Sequence, residues 1–199
     1  MKQNAKDFAT TAHQGQFRKN SKMPYITHPI RVANILEEAG CSEEVVCAAY
    51  LHDVVEDNSY TIQDIASRFG KHITFLVCAH TENKSLPWEK RKQHTIHVLQ
   101  TSNMEVKQLI VADKLDNLLS IEEDLKLLGD AIWDNFNAPV DKQKWYYQSI
   151  AAVMYDGVSP KETPSFLNTM KIQYPVSFIL SVKLLNGKCY ILLHKPAFC

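Results

Sequence analysis

An excess of either charge is missing from this chain: its 199 residues carry 22 Lys and Arg against 22 Asp and Glu. A chain so balanced has no global field to recruit nucleic acid or an anionic membrane. DNA, RNA and lipid are therefore not expected partners, and any anionic ligand needs a local pocket. No apolar run reaches a membrane-spanning length free of charges. The amino terminus, MKQNAKDFATTAHQG, has neither the apolar core nor the cleavage pattern of a secretory leader. Paired cysteines are lacking too: Cys41, Cys47, Cys78, Cys189 and Cys199 show no CxxC spacing, and their number is odd. Three of them fall among apolar helical residues and read as reduced core or near-core thiols, so the expected compartment is cytoplasmic. Internal repeats and low-complexity stretches are also absent.

What is present suits a soluble globular chain, with 45% hydrophobic and 22% charged residues. The length is enough for one domain with an appendage. Helical signals fill the first three quarters. Asn4 to His13 reads as a first helix, followed by the basic loop GQFRKNSKMPY. Pro29 suits the first turn of a second helix that Gly40 ends. Ser42, with Glu43 and Glu44, caps a third that runs into His52. Thr61 and Asp64 resemble a capping box, with Gly70 as terminator before a helical stretch from Lys71 to His80. Pro87 opens a helix reaching about Leu99. Asn103 caps the next, whose apolar stripe is Val106, Leu109, Ile110, Leu115, Leu118 and Leu119. A last helix runs from Pro139 to Met154, where Trp145, Tyr146 and Tyr147 read as core and rim packing.

The tail differs. SFILSVKLL and KCYILLH are two β-prone runs joined by Asn186-Gly187, a strong hairpin signal over 177–194. It reads as a hairpin on the helical body, an oligomer contact that would make a homodimer, or an atypical terminus.

The chemistry centres on YLHDVVEDN. His52, Asp53, Glu56 and Asp57 interrupt an otherwise apolar helical segment, and on a continuous helix they share one face. Three acids and an imidazole beside a core are costly unless a cation neutralises them. His28, in PYITHP at a helix start, and Asp113, in VADKLDNL, are further ligand candidates. Spacing alone leaves open a helix-terminal histidine at 28 and a surface salt bridge at 113. Two His with two Asp suit Mn, Fe, Zn or Ni. Such a site lends itself to hydrolysis, with Glu56 and Asp57 placed to hold or deprotonate water. Arg18 and Lys19 in the basic loop offer partners for phosphate, and Lys114 and Asn117 flank Asp113.

The adjacent His52-Asp53 pair, an upstream His and a downstream Asp resemble the HD superfamily of metal-dependent phosphohydrolases. The strings HDVVEDN, QFRKNSKMPYITHP, IQDIASRFG, HTENKSLPWEKRK and ADKLDNL resemble, more narrowly, the hydrolase domain of the RelA/SpoT family and the small alarmone hydrolases. The resemblance covers about Asn4 to Met154. It implies an all-α HD-domain helical bundle over 1–156, with 157–199 as an extension foreign to the pattern. It implies hydrolysis of the 3′-pyrophosphate of guanosine tetra- or pentaphosphate (ppGpp) to GDP or GTP and pyrophosphate. An HD-type phosphohydrolase acting on another nucleotide or phosphoester is the alternative. The implied cofactor is one divalent cation on His28, His52, Asp53 and Asp113, Mn2+ first, with Zn2+, Fe2+, Ni2+ or Mg2+ as alternatives. Glu56 and Asp57 match the pair that handles the nucleophilic water. Arg18, Lys19 and Asn117 match residues facing the nucleotide, and Lys84 falls in a loop close to substrate phosphates. Two positions depart: Asn58 stands where the family often has Thr, and Asp116 where it often has Tyr. The second adds negative charge near an anionic substrate.

Overall fold

A computed structural model describes residues 1–158. In chain order these form α1 (Lys2–Ala12), α2 (Thr27–Glu38), α3 (Glu43–Leu51), α4 (Val54–Asp57), α5 (Ile62–His80), α6 (Trp88–Thr101) and α7 (Met104–Leu128). A 3-10 segment (Gly129–Asn135) and α8 (Val140–Val153) follow. Among the described residues no strand forms; a lone antiparallel bridge, Phe17 with Pro24, closes the basic loop between α1 and α2. The expected hairpin at 177–194 lies outside the described residues, as does all but the first two residues of the 157–199 extension. No described helix is long and apolar enough to cross a membrane.

The hub of the bundle is α3. Every residue from Val45 to Leu51 is buried, so past its exposed acidic start, Glu43 and Glu44, this helix has no solvated face and must be surrounded. It packs against α1, α2, α5 and α7. An all-round apolar helix is stable only in such an interior position, and it carries the residues that follow it, 52 and 53, into the middle of the protein.

The caps act as the residue types dictate. Ser42 Oγ accepts from the Val45 amide, and Asn103 accepts from Val106. Thr61 and Asp64 complete a reciprocal capping box. Gly70, at φ 82° and ψ 174°, leaves helical geometry and divides α5 into two helical stretches at a kink, a conformation that suits glycine because it has no Cβ. The helix expected to run through His52 instead stops at Leu51, and a separate single turn begins at Val54. His52 and Asp53 therefore sit at a break, not on one continuous helical face with Glu56 and Asp57. Of the thiols, Cys47 is buried and Cys41 half-buried, but Cys78 on α5 is exposed, so it is not a core thiol.

Candidate metal centre

Three elements converge. His28 comes from the first turn of α2, His52 from the end of α3, and Asp113 from the middle of α7, all buried. Each offers a ligand atom, and these atoms lie within 4.8 Å of one another. His28 Nε2 is 3.2 Å from Asp113 Oδ1, and His52 Nε2 is 3.9 Å from the same oxygen. Asp53 borders the set: its Oδ2 is 3.0 Å from His52 Nε2 and 3.7 Å from His28 Nε2.

The outer ring atoms are anchored so that the inner ones face the cluster. His52 Nδ1 lies 2.7 Å from the Ala49 carbonyl, which can only accept, so that nitrogen carries the proton. His28 Nδ1 lies 2.6 Å from Asp116 Oδ2. Both rings thus present Nε2 inward. His52 Nε2 is buried without a hydrogen-bond partner; Asp53 Oδ2 is near it but out of hydrogen-bond alignment. A buried ring nitrogen claimed by no hydrogen bond, beside two carboxylates, fits a cation with mixed nitrogen and oxygen ligands.

The electrostatics agree. Burial opposes charge on His52, but Asp53 and Asp113 outweigh it and hold its pKa up at about 9. Asp113 is held well below the usual carboxylate range although burial opposes this, because Lys114 and the hydrogen bonds from His28 and His80 prevail. The cluster is short of positive charge, and a divalent cation relieves that shortage.

Several supports carried no sequence signal that singled them out. Tyr25 donates its hydroxyl to Asp53 Oδ2 at 2.6 Å. His80, at the end of α5, places Nε2 2.8 Å from Asp113 Oδ2. Glu82 gathers Arg91 Nη1 at 2.9 Å and Lys92 Nζ at 2.7 Å, while its own amide donates to Glu56 Oε2 at 3.1 Å. The only clue was nearness in the chain, Tyr25 to His28 and Glu82 to Lys84. Single polar residues near helix ends are too common to be selected on type.

Beside the cluster opens a cavity of about 400 Å³. Arg18, Lys19, Lys92, Lys114, Asn117 and Trp88 line it, and Asp57 adds a carboxylate to the wall. Arg18 Nη2 donates to Asn117 Oδ1 at 3.0 Å, and Asn117 Nδ2 donates to Asp113 Oδ1 at 2.5 Å, so the expected loop arginine is tied to the cluster. Lys19 lies over the Phe136 ring. Lys114 is placed differently from a free phosphate ligand: its Nζ is 2.5 Å from Asp113 Oδ2. Lys84 does not line the cavity; it pairs with Asp57 and lies 3.9 Å from Glu56 Oε1. Glu56 is pushed up from its ordinary value by burial first and by Asp53 second. Asn58 accepts from Gln16 Nε2 at 2.8 Å, which ties the basic loop to the acidic turn.

Comparison with known proteins agrees with this geometry. Guanosine-3′,5′-bis(diphosphate) 3′-pyrophosphohydrolase of Mus musculus is 43% identical over 117 residues, which is 57% of this chain and 65% of that protein. The chain thus spans just under two thirds of that relative's length. A Listeria monocytogenes EGD-e protein of known crystal structure is 48% identical with a TM-score of 0.73, covering 76% of this chain and 98% of its own. A metazoan ortholog of SpoT, described as hydrolyzing ppGpp, is 28% identical with a TM-score of 0.69, covering 87% and 93%. A family model described as HD domain matches residues 5–136, a segment that contains all four candidate ligands together with Glu56, Asp57 and Arg18. This chain belongs to the HD domain family.

Proposed function

We propose that this chain is a metal-dependent pyrophosphohydrolase that removes the 3′-pyrophosphate of guanosine tetra- or pentaphosphate, giving GDP or GTP and pyrophosphate. One observation carries the reading: buried imidazoles and carboxylates from separate helices meet beside a cationic cavity. The names of the relatives supply the substrate. His28, His52, Asp53 and Asp113 would hold one divalent cation, with Mn2+ preferred. When bound, the cation lowers the pKa of a water and polarises a phosphoryl oxygen.

The chain's own residues do the rest. Glu56 is the general base: burial raises its proton affinity, and the Glu82 amide fixes its Oε2, so the carboxylate is held ready to take the proton of the attacking water. Asp57, held by Lys84, positions that water from the cavity side. Arg18 and Lys19 receive phosphate oxygens, Arg18 through its planar fork and Lys19 as a point charge. Asn117 fixes Arg18 at the part of the cavity wall proposed for the sugar. Lys114, although paired with Asp113, adds positive potential to the cavity wall.

The test is pyrophosphate release from a panel of nucleotides by Mn2+-reconstituted protein. Release from guanosine tetraphosphate at a rate well above that from GTP or ATP supports the reading. An intact alarmone beside hydrolysed ordinary nucleotides would move the activity to another phosphoester.

A further inference from the structure

Asp116 is the acid whose charge is expected, from the sequence, to face the substrate. It does not line the cavity. It is 2% exposed and turned toward α2, where its Oδ2 lies 2.6 Å from His28 Nδ1. The same carboxylate accepts from Arg31, Nε to Oδ1 at 2.6 Å and Nη2 to Oδ2 at 3.0 Å. Arg31 Nη2 also donates to Ser120 Oγ at 3.0 Å. His28 and Arg31 are three residues apart on one face of α2, and Asp116 and Ser120 are four apart on α7.

We infer that Asp116 and Arg31 are positioning residues for the cation site, acting through His28. A neutral imidazole carries one proton, and whichever nitrogen holds it cannot ligate. The Asp116 carboxylate draws that proton to Nδ1, leaves the lone pair on Nε2, and makes the ring a better donor. Arg31 supplies the bidentate fork that fixes the plane of the carboxylate. It also balances the charge of Asp116, whose carboxylate is buried between α2 and α7. The half-exposed guanidinium thus sets the geometry of a ligand that is itself buried. A purely structural clamp between α2 and α7 would use the same contacts, and the two roles part company in metal affinity.

The inference rests on the proposed cation site, and the experiment separates the two. The full chain, stripped with chelator, is titrated with Mn2+ as wild type, as Asp116→Asn and as the double variant Arg31→Met with Asp116→Asn. The double variant leaves no guanidinium unpaired and keeps the fold testable if the single one unfolds. Wild type that binds no Mn2+ overturns the site itself. Wild type that binds, with both variants weakened roughly 10- to 100-fold and the double variant melting near wild type, supports the inference. Variants that bind Mn2+ as tightly as wild type overturn it while leaving the site standing. A measurement on wild type alone provides an independent check: in Zn2+-loaded protein with 15N-labelled histidine, His28 should show a protonated Nδ1 and a metal-bound Nε2. The opposite tautomer contradicts the inference.

Discussion

Two neighbouring regions hold buried charge in opposite ways. The cluster of His28, His52, Asp53 and Asp113 gathers two carboxylates and two imidazoles, and it pulls His52 up to about 9. The cavity beside it collects cations: Arg18, Lys19, Lys92 and Lys114. Within the cavity wall Lys92 is driven down from its ordinary value, by burial first and by Lys114 second, against the pull of Glu82. Charges under that strain are retained where a ligand relieves it. The cluster is short of positive charge, and the cavity, where cations outnumber the carboxylates of Asp57 and Asp124, is short of negative charge. A phosphate ester with a divalent metal supplies both at once, and Asp113 joins the two regions because it faces the cluster through Oδ1 and Lys114 through Oδ2.

This contrast can be attacked from either side. The largest effect is expected for Asp53→Ala, which removes a carboxylate from the cluster: Mn2+ content should fall to background and turnover should vanish, as read by metal analysis and pyrophosphate release. Retained metal with full turnover would take Asp53 out of the cluster. Glu56→Gln comes next. Turnover should drop about two orders of magnitude or more while metal content stays, the pattern of a lost general base. On the cavity side, Arg18→Ala should raise KM roughly tenfold with a smaller change in kcat, in line with about 1.5–3 kcal/mol for a hydrogen bond to a charged group. An unchanged KM would sever the cavity from substrate binding.

Smaller effects are expected where both regions stay intact. Thr61→Ala breaks the capping box of α5 and should cost about 1 kcal/mol of stability in a urea titration, with turnover unaltered. The metal-free protein offers a pH test of buried charge. Because burial raises the Glu56 carboxyl, the folded state holds that proton longer than the unfolded chain does. Stability from this group is present below the unfolded value and is lost as pH rises through the folded one. Urea titrations across that window should therefore show Glu56→Gln gaining on wild type as pH increases; a constant gap would mean that Glu56 is not perturbed.

The elements differ in how far their sequence announces them. Ser42, Asn103 and Thr61 mark helix starts because capping depends on one side chain and the next turn of backbone, a local matter. Val45 to Leu51 announces a buried helix by lacking any polar face, and the HDVVEDN string marks the acids of the site. The break at His52 is not legible. Apolar periodicity continues through Val54 and Val55, and the stop at Leu51 leaves no mark of Gly or Pro in the chain. Asp116 is visible as an acid on an apolar helix, but its direction is not. Residues 113 and 116 are both buried on α7, and only the packing of α2 against α7 decides that Asp116 meets His28 and Arg31. His80 and Tyr25 are hidden for the same reason, since their partners lie 33 and 28 residues away.

If one divalent cation belongs among His28, His52, Asp53 and Asp113, equilibrium dialysis of chelator-stripped chain against Mn2+, followed by metal analysis, will show it most directly. The expected result is one bound ion per chain in wild type and none retained by Asp113→Ala. Wild type that retains no ion, or an Asp113→Ala variant that retains as much as wild type, would refute the shared cation.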